Sequence, residues 1–457
     1  MSLIGAKPQL MLSRARDAAL RAALGMAAPA LGLLLFAWSP LGFCAVVGRN
    51  LPAQSLTRAR IQTLPRGQRR LWLEYLERSE RQRREDKLVL QRELQRIGAR
   101  APRIPREGAS ARSIPMNRPQ SWYGGADARQ IAETIVSFQT PAGGWGKNLD
   151  MRQGPRQEGE AFVPNNLSRF TAPDDFDTPR EPDWNYVGTI DNDATTTELR
   201  FLARVISATG AKKSAEFRTA FLRGMRYLLR AQFPNGGWPQ VWPLEGGYHD
   251  AITYNDDAMI EVMQLMGEVA GGRQEFSFVP AQICKQADKS FQHGMRCVLA
   301  TQIVSGGRLT VWPQQDDPLT LKPVSGRNFE PAAECAGEST DVALLLMNGL
   351  PEPTPGEVRA IRGAAEWFTR TAIYGERWTR TGEGRELVPQ PGAGPVWARF
   401  YAVGSDQPIF SDRNKLLYDR VEDISTERRN GYQWYVQKPA AALERYKTWS
   451  ALHPAAM

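Results

Sequence analysis

The sequence predicts a mainly α fold, an α/α toroid in which about three helical hairpins are arranged around a common axis. Three observations predict it. Helical patterns at 126–139, 220–232 and 287–302 run into Gly pairs: Gln139-Thr-Pro-Ala-Gly143-Gly144-Trp145, Gln232-Phe-Pro-Asn-Gly236-Gly237-Trp238, and Gln302-Ile-Val-Ser-Gly306-Gly307-Arg308 with Trp312 soon after. A polar cluster then follows each: Asp191-Asn192-Asp193-Ala-Thr, Tyr254-Asn255-Asp256-Asp257-Ala, and Gly337-Glu338-Ser339-Thr340-Asp341. Finally, apolar residues recur at helical spacing over 194–207, 258–270 and 341–350. In such a ring the three clusters converge on one rim.

The elements follow in chain order. Residues 1–47 read as a signal peptide or membrane anchor. Lys7, Arg14, Arg16 and Arg21 precede an apolar stretch at 22–47, and Gly42-Phe43-Cys44 before Ala45 offers small residues for cleavage. The stretch is nearly long enough to span a bilayer, so an anchor stays open beside a secreted or periplasmic protein. Residues 48–120 form a charged arm. Between 68 and 97, Leu71, Leu73, Leu76, Leu88, Leu90 and Leu94 are spread among charges, as in an exposed amphipathic helix laced with local ion pairs. The stretch 101–119 is rich in Pro, Arg, Gly and Ser and reads as a linker or wrapping arm. The main region, 121–457, opens at Ser121-Trp122-Tyr123. Within its hairpins the Gly pairs supply the positive φ that stops a helix. Asp and Asn of the polar clusters can cap the next helix start.

Composition narrows the function. The net charge of +9 is concentrated early, because residues 51–113 carry sixteen Lys/Arg against seven Asp/Glu. The basic character therefore argues little about substrate, and no nucleic-acid motif accompanies it. Thirteen Trp suit carbohydrate handling as well as core filling. With three His in all (His249, His293, His453), a His-based mechanism is poorly supported. There is no serine nucleophile elbow, no phosphate-cradling glycine loop and no His/Cys metal set. Cys284 and Cys297 could pair in an oxidising compartment; three buried thiols, with Cys335, is the other reading.

What remains for chemistry is acids and cations. Asp191, Asp193, Asp256 and Asp257 are hard oxygen donors suited to Ca²⁺, with water and a carboxylated substrate completing the shell; the same residues can simply cap helices. Lys147, Arg327, Arg399 and Arg413 form a basic set, in which Arg matches planar carboxylates bidentately and Lys acts as a point charge. Acids beside arginines are what a polyanion bridged by a cation needs.

These segments resemble the family 10 pectate lyases in matching order from Trp122 to Trp434. The resemblance rests on Gly-Gly-Trp-Gly-Lys-Asn (143–148), Ile-Asp-Asn-Asp-Ala-Thr (190–195), Gly-Gly-Trp-Pro-Gln (236–240) and Tyr-Asn-Asp-Asp-Ala-Met (254–259). It continues through Gly-Arg-Asn-Phe-Glu (326–330), Trp-Ala-Arg-Phe-Tyr (397–401) and Glu-Arg-Arg-Asn-Gly-Tyr-Gln-Trp (427–434). It implies a toroidal catalytic domain with a smaller mixed domain beside it. It implies calcium-dependent cleavage of polygalacturonate by β-elimination, with Arg327 as catalytic base. Asp191 and Asp256 would bind calcium or the calcium-bridged uronate. Lys147, Arg399 and Arg413 would hold substrate carboxylates, with Asn192 and Asn255 as secondary contacts. Gly146 stands where the family usually has Pro, and the stretch 330–338 departs from the pattern expected after the arginine, which bears on substrate preference. An inverting glycoside hydrolase on a similar toroid and a non-catalytic polysaccharide-binding protein are the alternative readings; no dedicated protein partner is evident.

Overall fold

The repeat visible in the sequence is a repeat of hydrogen bonds. A computed structural model describes residues 45–454 except 109–112, 165–173, 179–180, 182–183, 273 and 351. After a single helical turn at Arg58–Ile61 comes the long helix α1 (Arg66–Arg96). Seven helices then alternate between two layers: α2 (Ala126–Ser137), α3 (Thr196–Thr209), α4 (Ala215–Ala231), α5 (Ala258–Gly271), α6 (Ala281–Thr301), α7 (Ala336–Gly349) and α8 (Pro355–Thr371). Helices α3, α5 and α7 pack side by side as one layer, and α2, α4, α6 and α8 as the other. The pairs α3–α4, α5–α6 and α7–α8 join the layers, and α9 (Pro439–Leu452) packs against α7 and α8.

Helices α2, α4 and α6 are each clipped to the next helix of their layer by a glutamine just past the end. The Gln139 amide donates to Gly143 O (2.7 Å) and to Ala220 O on α4 (2.9 Å). Gln232 donates to Gly236 O and to Ser290 O on α6 (both 2.9 Å). Gln302 donates to Thr310 O (2.8 Å) and to Ala360 O on α8 (2.9 Å). Three buried tryptophans repeat likewise: Trp145, Trp238 and Trp312 donate their indole N–H to Ile135 O, Leu228 O and Val298 O.

The glycines do not cap these helices, which close at Phe138, Gln232 and Gln302. Gly143 and Gly236, at φ +112° and +101°, let the turn lie against the neighbouring helix, where an added Cβ would meet Arg223 O at 2.7 Å and His293 O at 2.2 Å. In the third unit Gly306-Gly307 is instead the turn of a short hairpin joining Val304–Ser305 to Arg308–Leu309, and Trp312 takes the place of the other two tryptophans.

Helix α1 is docked, which corrects its reading as an exposed helix. Leu71 and Leu88 are 49% and 44% exposed, but Trp72, Tyr75, Leu76 and Leu90 are buried. Trp72 and Tyr75 pack on Phe233 in the turn after α4, and the Tyr75 hydroxyl donates to Ala231 O at 2.8 Å. Residues 103–108 run beside 148–161, with Gly108 N–H donating to Asn148 O at 2.8 Å.

Between 376 and 436 lie short strands. Glu376–Thr381 and Gly384–Pro389 form a hairpin, and Phe400–Ala402 pairs with Glu334–Cys335, placing Phe400 opposite Cys335. Phe410–Ser411 and Leu416–Tyr418 make a sheet with Val46–Arg49 of the N-terminal arm. The buried Trp397, Phe400, Phe410 and Trp434 share one hydrophobic core with the helices, and Cys44–Met457 is one compact unit, so these strands are not a separate domain. Cys284, Cys297 and Cys335 are free thiols. No helix among the described residues is long and apolar enough to cross a membrane, and nearly all of the segment read as a signal or anchor lies outside them.

Candidate active site

The polar clusters before α3 and α5 are single turns whose backbone turns left-handed, with φ of +53° and +59° at Asn192 and Asp193 and +49° and +59° at Asp256 and Asp257. Such φ values are costly away from glycine and collect at functional sites. They do not serve capping. The N-cap residues of α3 and α5, Thr195 and Asp257, make no side-chain cap bond. The third cluster is not a loop at all, since α7 already starts at Ala336 and Glu338 lies in its first turn.

The two turns instead face each other. Asn255 Nδ2 donates to Asp191 Oδ1 (3.2 Å) and to Asp256 Oδ2 (2.9 Å), while Gln314 donates to Asn255 Oδ1. Lys147, two residues past Trp145, donates to Asp191 Oδ2. Burial opposes the Asp191 charge, yet Lys147 and, beyond it, Arg327 hold that carboxyl below the usual range. Asp256 is pushed up to about 7 by burial, with the negative charge of Asp191 adding to it. Of the other sequence candidates, Asp257 is tied to Lys438 at 2.7 Å, and Asn192 is exposed at the apex of its turn.

Facing the acids is a group of arginines on two rings. Phe329 and Tyr432 meet edge to face at 5.2 Å. The guanidinium carbon of Arg327 lies 4.9 Å from the Phe329 centroid, that of Arg413 5.4 Å, and that of Arg428 4.2 Å. Arg399 lies 4.7 Å from the Tyr432 centroid. These distances suit cation–π contact and keep the charges close without a clash of side chains. Three glutamates balance them. Glu330 Oε2 accepts from Arg327 Nε at 3.0 Å, Glu338 pairs with Arg399, and Glu427 accepts two bonds from Arg413 at 2.9 and 3.1 Å. Burial works against the charge on Arg327 and Arg399, but Glu330 and Glu338 raise both guanidiniums well above the ordinary arginine range. Burial would raise Glu330, and Arg327 overrides it, holding that carboxyl at about 2. His249 is kept neutral, lowered to about 3 by burial and by nearby Lys147.

The structure therefore brings Lys147, Asp191, Asn255, Asp256, Arg327, Arg399 and Arg413 into one neighbourhood. Sequence reasoning missed Phe329, Glu330, Glu338, Arg428 and Tyr432. Their signals were their places in the motifs: Phe329 and Glu330 in 326–330, Glu338 in the third polar cluster, and Arg428 and Tyr432 in 427–434. Among the described residues no three His, Cys, Asp or Glu side chains form a ready-made metal cluster.

The profile of the pectic acid lyase family matches residues 139–443. A family 10 polysaccharide lyase from Cellvibrio cellulosa has a similar structure, with a TM-score of 0.60 and 27% identity over 75% of this chain and 99% of that one. An aspartate-to-alanine variant of that lyase, in complex with trigalacturonic acid, matches with the same figures. No curated protein matches. The ordered motifs, the helical scaffold and a family match over well above half its length agree: this chain belongs to the pectic acid lyases of polysaccharide lyase family 10, pectate-lyase-type enzymes acting on pectic polysaccharides.

Proposed function

We propose that this lyase cleaves polygalacturonate by β-elimination with calcium as cofactor, on a scaffold whose paired helices form an α/α toroid. The observation that carries this reading is the meeting of Asp191 and Asp256 with Arg327, Arg399 and Arg413 around Phe329 and Tyr432. A uronate chain presents a carboxylate on every unit, and such a site answers both that charge and a bridging cation. The trigalacturonic acid held by the Cellvibrio variant is a short piece of such a chain. Such a polymer suits an exported enzyme, the reading given to residues 1–47.

In galacturonate the C5 proton lies beside the carboxylate, and the glycosidic oxygen on C4 is the leaving group. Removal of that proton and loss of the C4–O bond give a 4,5-unsaturated end with no attacking water, so a glycosidase pair of carboxylates is not required. Lys147, Arg399 and Arg413 orient substrate carboxylates, and Asn192 and Asn255 add secondary contacts. The donor set fits calcium: Asp191 and Asp256 offer carboxylate oxygens tied together by Asn255, and the Asp256 carboxyl, raised by burial with the Asp191 charge adding to it, would be relieved by a cation. Calcium, when bound, supplies charge that stabilises an enolate-like substrate.

Arg327 is the catalytic residue at C5. As a base it must be neutral, and its pairing with Glu330 opposes that. The same pairing favours a second reading, in which a charged Arg327 stabilises the developing carbanion. Near-normal activity of Arg327→Lys at neutral pH would remove any specific arginine role. The overall proposal is tested by ultraviolet absorbance during incubation with polygalacturonate at alkaline pH, with calcium and then with a chelator. A rise that the chelator abolishes is expected. Saturated reducing ends would make the protein a hydrolase, and neither signal would make it a binding protein.

A further inference from the structure

We infer that Asn50, on the N-terminal arm, is a positioning residue for the lyase reaction, holding the turn that carries Arg327. This rests on the assignment of Arg327 above. The arm lies outside the residues matched by the family profile, so Asn50 comes from a segment that the family match does not cover.

The geometry is specific. Strand Val46–Arg49 adds to the edge of Leu416–Tyr418, and the Asn50 backbone N–H donates to Lys415 O at 2.7 Å. Its side chain, 4% exposed, directs Nδ2 at three carbonyl oxygens of one turn: Arg327 O (3.4 Å), Asn328 O (3.2 Å) and Glu330 O (3.0 Å). Three converging acceptors select a donor, and buried carbonyls left unpaired are costly. The turn is small and self-bonded, with Glu330 N–H donating to Arg327 O at 2.9 Å and Gly326 N–H to Glu330 O at 3.1 Å. A shift of its carbonyls therefore carries the Arg327 side chain with it.

Asn50 also ties two arginine-bearing segments together. Its backbone is bonded to Lys415, two residues from Arg413, while its side chain holds the Arg327 turn. Asn328 of that turn completes the link by donating to Arg413 O at 3.2 Å. The arm continues across other loops. Ser325 donates to Leu51 O, Gly247 N–H to Ser55 Oγ (2.7 Å) and Leu56 N–H to Asp250 Oδ2 (2.9 Å), and Arg60 pairs with Asp317. Asn50 touches no reacting group directly; it acts through the placement of Arg327.

The test uses the full chain, with calcium and polygalacturonate, and compares Asn50→Ala, Asn50→Asp and Asn50→Ser. Ala and Asp remove the donor, and Ser keeps a single shorter one. For Ala and Asp, kcat is expected to fall on the order of tenfold or more, because small misplacements of catalytic groups carry penalties of that scale. KM should stay within about twofold, since the substrate-holding cations remain, and Ser should lie between wild type and Ala. In an Arg327→Lys background the Asn50→Ala loss should largely vanish, because the two residues act in series. A full additive loss in that background overturns the proposal, as does an unchanged kcat with only a lowered unfolding midpoint. Wild-type protein that leaves polygalacturonate uncut overturns the assignment of Arg327 and this proposal together. Active wild type with kcat indifferent to Asn50→Ala overturns this proposal alone.

Discussion

Glu330 grips Arg327 three times, its Oε2 accepting from the backbone N–H at 2.8 Å and from the guanidinium Nε at 3.0 Å, and its Oε1 from Nη2 at 2.5 Å. The Tyr432 hydroxyl also donates to Oε1, at 2.9 Å. Removing that negative charge lowers the Arg327 pKa, since an opposite charge at hydrogen-bond range favours the charged form. If Arg327 acts neutral, the rising limb of kcat/KM against pH moves down in Glu330→Gln by about one to three pH units. A pH profile of the purified variant checks this. A limb that stays in place while activity drops at every pH identifies Arg327 as a charged stabiliser instead.

Much of this arrangement was legible, and the failures have physical causes. The first two Gly-Gly-Trp turns were readable because glycine is demanded twice over, by positive φ and by a helix backbone lying against it. The third turn hid because a two-residue hairpin separates Gln302 from Trp312, so Gly306-Gly307 looked equivalent when Thr310 was. Counting leucines misjudged α1, whose buried stripe is set by Trp72, Tyr75 and Leu76. Helix α8 went unread although Thr354, Pro355 and Glu357 spell a capping box with Pro at the first position. Cations at the site were visible by type, but their partners Glu330 and Glu338 become meaningful only when strand pairing brings 334–335 beside 400–401.

The glutamine clips predict a stability effect without a catalytic one. Gln302 is buried and serves two carbonyls, at Thr310 and at Ala360 inside helix α8, so Gln302→Ala removes both bonds and leaves the Thr310 acceptor without its donor. Each unsatisfied buried group costs about 1–3 kcal/mol. Urea unfolding of the variant should show a loss in that range or somewhat above it, with kcat of the folded fraction unchanged. A loss below about 0.5 kcal/mol, the range of ordinary surface substitutions, would mean that the clip is incidental.

Asp86 predicts the direction of a pH effect on folding. It is fully buried on α1, accepts from Gln82 Nε2 at 2.7 Å, and is raised to about 7, chiefly by burial. A carboxyl whose folded pKa exceeds its unfolded value binds its proton more tightly when folded. Its contribution to stability is therefore present below about pH 4 and is lost as pH rises through about 7. Asp86→Asn has no such dependence. Its stability relative to wild type should climb between pH 4 and 7 and level off above, by an upper bound on the order of 4 kcal/mol. Denaturation curves at pH 4.5, 6 and 8 decide it, and a constant difference across them would refute the assignment.

Calcium dependence should separate two neighbouring aspartates that the sequence could not. Asp256 shares Asn255 with Asp191, whereas Asp257 turns the other way and is held by Lys438. A cation held by the first pair would draw on both carboxylates, so Asp256→Asn and Asp191→Asn should each raise the calcium needed for half-maximal activity by at least roughly tenfold. Because Asp256, raised to about 7, holds its proton below that pH, a calcium ion held there would displace a proton, and the wild-type requirement should ease as pH rises above that point. In Asp256→Asn that pH dependence should flatten. Asp257→Asn, by contrast, perturbs the Lys438–Asp341 group away from that pair and should titrate with calcium as wild type does. Calcium titrations of initial rate at pH 6.5 and 8.5 measure all of this at once. Equal responses from the Asp256 and Asp257 variants would move the cation site away from the paired turns.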